Sequence, residues 1–483
     1  MTNARAEDYP GAGTILQGEQ AMLVFQDSKA YGRREFLRIG GLTLGAAGSW
    51  LPWLAAQQSG TESLLKDRSV IFLFLHGGPS QFETFDPKMS APAEIRSATG
   101  EIETRLPGVT FGGTFPRLAS LADRVSIVRS FTTGDGNHDI KPVVSRATAG
   151  ANIGSIYARV AGANHPQTGM PRNCALFPRS VDPDTQPNKM SFGKFNATGP
   201  LGSAFAPFIP GDGSDLQDAL KLTMPRERLD DRRLLLAGLD RIKREVEPQL
   251  LDGADKFQSQ AFDTIIGGVA EAFDLAQEDP RIVAGYDTAP RVRPDQISKR
   301  WNNYNNYVDN AKSLGKLLLL ARRLCERGCG FVTVTTNFVW DMHADVNNAG
   351  VEEGMQYMGS PLDHALAAYI DDVEARGLSD RILLVACGEM GRTPKINARG
   401  GRDHWGGLAP LLVHGGGLAM GQVVGQSSRD GGQPATTPYR IPNLIATIMH
   451  ALLEVGKLRL IQGIPAEVGR SILEAEPIQE LVG

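Results

Sequence analysis

With 483 residues, 41% of them hydrophobic and 22% charged, the chain is long enough to bury a large core, as one α/β domain or two smaller ones. Its 50 basic residues are outnumbered by 54 acidic ones, so there is no excess of positive charge to follow a phosphate backbone, and nucleic acid is excluded as a partner. The four cysteines, Cys174, Cys325, Cys329 and Cys387, are too few and too irregularly spaced for a disulfide framework or a zinc ribbon.

In chain order, the first legible element is "YGRREFLRIGGLTLGAAGSWLPWLAAQQ". Arg33 and Arg34 precede Phe36 and Leu37, and an uncharged apolar run follows from Ile39 to Ala56. This pattern is that of a twin-arginine export signal over residues 1–56, and it makes the translocase a partner during export. The rival readings are a transmembrane anchor of similar length and a core helix, although the run has no polar face at helical spacing.

The main domain is expected over residues 65–475. "SVIFLFL", from Ser69 to Leu75, is a near-continuous apolar run of the kind buried on both faces of a parallel sheet. "RVSIV" at 124–128, "GFVTVTTNF" at 330–338, "RILLVACG" at 381–388 and "APLLVHGGG" at 409–417 read the same way. Between them, helical patterns at 305–328 and 360–377 each end in basic or polar residues and then glycine, which predicts helices feeding the following strands. Cys325 and Cys329 lie one turn apart near the first of these ends, as a local disulfide or as two buried thiols. Residues 223–300 are charged and amphipathic without convincing strands, and are expected to form a helical insertion beside the sheet. The alternation of strand and helix predicts a doubly wound, mostly parallel α/β sheet.

Open sheets of this kind bind ligands beyond the carboxyl ends of their strands. His76, Gly77 and Gly78 follow the first run, Asn137, His138 and Asp139 the second, Asp341 and His343 ("WDMHADVNN") the third, and Glu389, Arg392, Asp403 and His404 ("GEMGRTPKINARGGRDHW") the fourth. Four of the eight histidines thus fall at strand ends, and that concentration points to a site. Asp341 and His343, two apart, can face one side as metal ligands or as an acid and base, or can be a cap beside a surface histidine. In Asp403-His404 the carboxylate can orient the imidazole or both groups can bind an ion. Glu389 and Arg392 read first as a salt bridge, yet the planar fork of Arg392 also suits a substrate phosphate or sulfate. "HGGP" invites comparison with the oxyanion-hole glycines of esterases, but no G-x-S-x-G elbow follows.

Taken together, "IFLFLHGGPSQFETFDPK", "VRSF" followed by "NHD", "WDMH" and "GEMGRTPKINARGGRDHW" resemble the domain of unknown function 1501 family, exported bacterial proteins that often begin with the "RREFLRIGG" seen here. The resemblance runs from about residue 33 to 455. It implies an alkaline phosphatase and sulfatase type of α/β fold, with divalent metal held by Asp and His at strand ends and a hydroxyl or modified-cysteine nucleophile at a helix start. Asp341, His343, Asp403 and His404 match the later ligand groups, and His76 stands where active members usually place an aspartate, as the metal ligand that replaces it. "HDIKPVVSRATAG" resembles the nucleophile segment, with His138, Asp139 or Ile140 in the cysteine slot and Ser145 too late in the chain. His138 is thus the implied catalytic residue, as ligand or nucleophile, with Asn137 and Arg392 at the substrate. The implied activity is hydrolysis of small-molecule or polysaccharide phosphate or sulfate esters in the periplasm or envelope. The alternatives are a non-catalytic ligand-binding protein and an envelope assembly protein on the same fold. Imidazole and carboxylate donors imply zinc, manganese or calcium.

Overall fold

The computed structural model describes residues 64–211, 269–458 and 465–482. The arginine pair, the apolar run after it and residues 223–268 of the expected insertion lie outside the described residues.

Seven strands form the central sheet: β1 (Ser69–Phe74), β2 (Ser126–Val128), β3 (Asn173–Leu176), β4 (Phe331–Val334), β5 (Ile382–Cys387), β6 (Leu411–Gly415) and β7 (Val423–Val424). Their spatial order is β7-β2-β6-β5-β1-β4-β3. β1 lies inside the sheet, parallel to β4 with Val70 opposite Phe331 and parallel to β5 with Ser69 opposite Ile382. Only β6 runs against its neighbours, β5 and β2. The reason is the connection: residues 388–410 contain no helix, and strands joined without a crossover helix pair antiparallel. The expected α/β class with a mostly parallel sheet is borne out. The short strand β3, "NCAL", was not foreseen, because four residues flanked by polar loops give little period to read.

Alternate residues of β1 feed two cores, one on each face. Ile71, Leu73 and Leu75 pack with the leucines of α2 (Tyr304–Glu326) and α3 (Val351–Ala375). Val70, Phe72 and Phe74 pack with Ile153 and Ile156 of α1 (Ile153–Ala161) and Leu444 and Ile448 of α4 (Ile441–Leu452). Full burial of each such side chain contributes roughly 1.5–3 kcal/mol, and this double burial is why β1 reads as an unbroken apolar run. α2 and α3 end where expected, followed by Gly328 at φ +98° and Gly377 at φ +66°. α3 begins at Val351, before the expected start, and passes through Gly354, Gly359 and Pro361. The glycines belong to close packing: a Cβ on Gly359 would sit 2.4 Å from Thr114 Oγ1.

The described part of the expected insertion, residues 269–300, holds the helices Val269–Phe273 and Pro280–Tyr286 and no strand. It is tied to α2 and α3 by Glu278, whose carboxylate meets Arg322 at 2.7 Å, Arg323 at 3.1 Å and Arg376 at 3.0 Å. Burial would raise the Glu278 pKa, but hydrogen bonds and charge from these arginines win and lower it to about 2. A depressed carboxylate stabilises the fold fully above its unfolded pKa and loses that contribution as pH falls through the folded one. The melting temperature is therefore expected to fall between pH 4.5 and 2 more steeply in the native protein than in Glu278→Gln. The difference corresponds to about 2 kcal/mol after solvent screening, and parallel acid limbs would refute it. All four cysteines are free and buried, so the Cys325 and Cys329 thiols are buried groups and not a disulfide.

Candidate metal centre

Three loops at the carboxyl edge of the sheet bring four side chains together. The loop after β2 supplies His138, the loop after β4 Asp341 and His343, and the loop after β5 His404. One ligand atom from each lies within 4.8 Å of all the others. Asp341 Oδ1 is the hub: His343 Nε2 stands 2.8 Å away, His404 Nε2 3.2 Å and His138 Nε2 3.4 Å. His343 Nε2 and His404 Nε2 are 2.7 Å apart. Burial alone would raise the Asp341 carboxyl, but hydrogen bonds from the three imidazoles and the charge of Arg392 hold it far below the usual carboxylate range. A permanently ionised carboxylate facing three imidazole nitrogens is a donor set that fits a divalent ion.

Supporting contacts aim His138 and Asp341. His138 Nδ1 lies 2.9 Å from Glu389 Oε1, so in the neutral ring an Nδ1–H donated to Glu389 would free Nε2, which faces Asp341, to hold an ion. Glu389 is fully buried and also accepts the Gly77 amide at 2.9 and 3.1 Å. Burial works against protonation of His138, while Asp341 and Glu389 outweigh it and raise the pKa. Lys141 clamps the same loop through Asp135 at 2.6 Å and Asp139 at 2.7 Å. Asp341 Oδ2 accepts Asn348 Nδ2 at 3.2 Å, and Asn348 in turn accepts Asn303 Nδ2 at 2.8 Å. Gly77, at φ +114°, lets the β1 loop pass under Asp341, since a Cβ there would stand 2.6 Å from the Asp341 nitrogen. Gly401 is equally confined, its Cβ position 2.2 Å from the His343 carbonyl.

The structure reassigns several expected site residues. Asp403 is 56% exposed and stands outside the cluster of four; its Oδ1 faces His343 Nδ1 at 3.3 Å, so it orients His343 and not its neighbour His404. His76 also lies outside the four. Its ring is caged by Phe74, Phe192, Phe195 and Phe338 at 5.0–6.0 Å between centroids, and burial pushes its pKa down to about 4. Arg392 has no free fork for a substrate. Its N–H groups reach the carbonyls of Gly77, Gly78, Trp340 and Arg402, Asp341 Oδ1 at 2.7 Å and His343 Nε2 at 3.4 Å. The expected Glu389–Arg392 pair does not form, because Asp341 is the partner of Arg392 and Glu389 holds His138. With the Gly77 amide taken by Glu389, the "HGGP" glycines serve packing rather than an oxyanion hole. Asn137 is exposed and bonds to Asp135 and Lys141 rather than to the four. The roles of Glu389 and Asn348 were missed in the sequence, although Glu389 directly follows a strand and the strand-end rule reaches it.

The fold and these side chains define an α/β protein with a candidate three-histidine, one-aspartate metal centre at the carboxyl ends of its strands. The chain belongs to the family described as protein of unknown function (DUF1501), whose model matches residues 67–480. No curated protein matches it. Among solved structures it is similar to the lipoteichoic acid synthase LtaP from Listeria monocytogenes, at 10% identity over 92% of this chain and 84% of that one, with a TM-score of 0.33. The PsFucS1 sulfatase from Pseudoalteromonas sp. aligns at 10% identity over 87% and 72% of the two chains, with a TM-score of 0.34. The phosphonate monoester hydrolase SpPMH from Silicibacter pomeroyi aligns at 11% over 80% and 73%, with a TM-score of 0.29. Scores this low carry no weight for the chemistry, which rests on the side chains themselves.

Proposed function

We propose that this protein is a metal-dependent hydrolase of phosphate or sulfate esters, with His138, Asp341, His343 and His404 holding zinc or manganese. The observation that carries the reading is the convergence of three imidazole nitrogens on one ionised carboxylate at the strand ends. Calcium is disfavoured, because it takes oxygen ligands and three of the four donors here are nitrogen. A divalent ion bound there would supply Lewis acidity toward the ester oxygens and a water that ionises near neutral pH. His138 and His343 are held in register by Glu389 and Asp403. His138, which the sequence put in the nucleophile slot, is assigned as a ligand, because Glu389 takes its Nδ1 and its Nε2 faces Asp341 within the cluster of four. Burial pushes the thiols of Cys174, Cys325 and Cys387 up, which removes them as thiolate nucleophiles at neutral pH.

The test is elemental analysis of the purified protein followed by assay of aryl phosphates and aryl sulfates with added zinc or manganese. A stoichiometric metal, with turnover that drops at least about ten-fold in His404→Ala, is expected. Metal-free protein that stays inactive with either ion would sink the reading, and bound metal without turnover on either ester would favour a ligand-binding role. We further place the activity outside the cytoplasm, supported by Arg33-Arg34 and the apolar run after them. Replacing both arginines by lysine is expected to leave the protein in the cytoplasmic fraction, and unchanged export would refute it.

A further inference from the structure

A charged ester needs more positive charge than the ligands provide, and the cations nearest the centre are already committed. Arg392 has its donors taken as described, Lys141 is bound by Asp135 and Asp139, and Arg402 is paired with Glu83 at 2.9 Å with both side chains fully buried. Lys189 differs. Among the described residues no carboxylate lies within ion-pair distance of its ammonium, which stands 5.8 Å from the centre of the Phe192 ring. Phe192 stacks on Phe338 at 4.5 Å, and these rings lie 5.2 and 4.7 Å from His138. An apolar platform therefore borders the candidate metal centre, with a cation on it that has no ion-pair partner among the described residues.

The segment that carries Lys189 is anchored rather than loose. The Gln186 amide donates to buried Asp309 at 2.7 Å, and the Lys189 amide donates to Asn337 Oδ1 at 3.0 Å. Asn337 is itself buried, just beyond β4, and held at φ +64°. Gly193 lies so close to Ile140 that a Cβ would meet its side chain at 2.5 Å, which fixes this segment against the His138 loop.

From this placement we infer that Phe192, Phe338 and Lys189 form a subsite for the alcohol part of the ester, selecting a ring-bearing group that carries a second negative charge. The half-buried Phe192 ring, backed by Phe338, supplies the apolar contact, and the half-buried Lys189 side chain brings an ammonium to meet the extra charge. The inference rests on the hydrolase reading for the position of the scissile ester, and the experiment separates the two. The metal-loaded protein is assayed with phenyl phosphate and 4-carboxyphenyl phosphate. KM is expected to be at least ten-fold lower for the carboxylated ester, the difference is expected to vanish in Lys189→Ala at unchanged metal content, and Lys189→Arg is expected to restore it. Equal KM values in the native protein, or a preference that survives Lys189→Ala, overturn the subsite and leave the hydrolase reading standing. If neither ester turns over, calorimetry with phenylphosphonate and 4-carboxyphenylphosphonate decides: a Lys189-dependent preference upholds the subsite while the hydrolase reading falls, and its absence overturns the subsite.

Discussion

Asp341→Ala is expected to lose metal affinity by more than the roughly 10–100-fold that loss of a group supporting a ligand costs, and to abolish any metal-dependent turnover. The reason is geometric: three imidazoles and one guanidinium converge on Oδ1, so without it the donors have no common charge to surround. Removing the carboxylate also leaves the Arg392 guanidinium buried with its anion gone, a loss on the order of 3–5 kcal/mol of stability. Asp341→Asn separates the two effects, since an amide oxygen still accepts from Arg392 but brings no charge to an ion. Glu389→Ala provides the graded comparison. It touches no ion and acts through His138 and the Gly77 amide, so metal affinity is expected to fall about 10–100-fold, with stability down by about 1–3 kcal/mol. Isothermal titration with zinc and thermal melts of the metal-free proteins measure both quantities. If Asp341→Asn bound zinc as tightly as the native protein, Asp341 would not be a ligand.

Glu83→Ala is expected to be the most damaging substitution away from the ligands, at about 3–5 kcal/mol of stability. Glu83 and Arg402 are both fully buried, and Arg402 Nε and Nη2 grip the carboxylate at 3.0 and 2.9 Å. The same guanidinium bonds the carbonyls of Thr393, Ile95 and Arg96 and lies 4.2 Å over the Phe82 ring. Arg402 directly precedes Asp403 and His404, and His404 pairs with Arg392 in a two-residue ribbon. Cutting the Glu83 contact therefore leaves a buried cation and frees the loop that presents His404. Denaturant unfolding should show the loss, together with weaker metal binding. A change below about 1 kcal/mol would mean that Arg402 is satisfied by its carbonyl partners alone.

The residue types and strand ends of this protein are legible in its sequence for a physical reason. A strand buried on both faces must be apolar throughout, so β1, β4, β5 and β6 stand out as runs, and the polar residues just beyond them are confined to the edge where the sheet meets solvent. His138, Asp341, His343 and His404 all lie in such positions, and local pattern alone brought them to notice. Pairing across the edge is a different matter. Whether Glu389 faces Arg392, three residues away, or His138, 251 positions away, depends on how β2, β4 and β5 stand in the sheet, and no local spacing encodes that. The same applies to His76, whose position follows a strand as the ligands do but whose ring is turned into a cage of phenylalanines from three segments. Sequence by itself determined the class of fold, the edge that carries the candidate site and most of its candidate ligands, because burial and backbone period are local constraints. Only the tertiary structure decided which carboxylate is the hub, which groups hold the imidazoles, and that Arg392 is a buried strut, because those depend on the neighbours that distant strands bring within hydrogen-bonding distance.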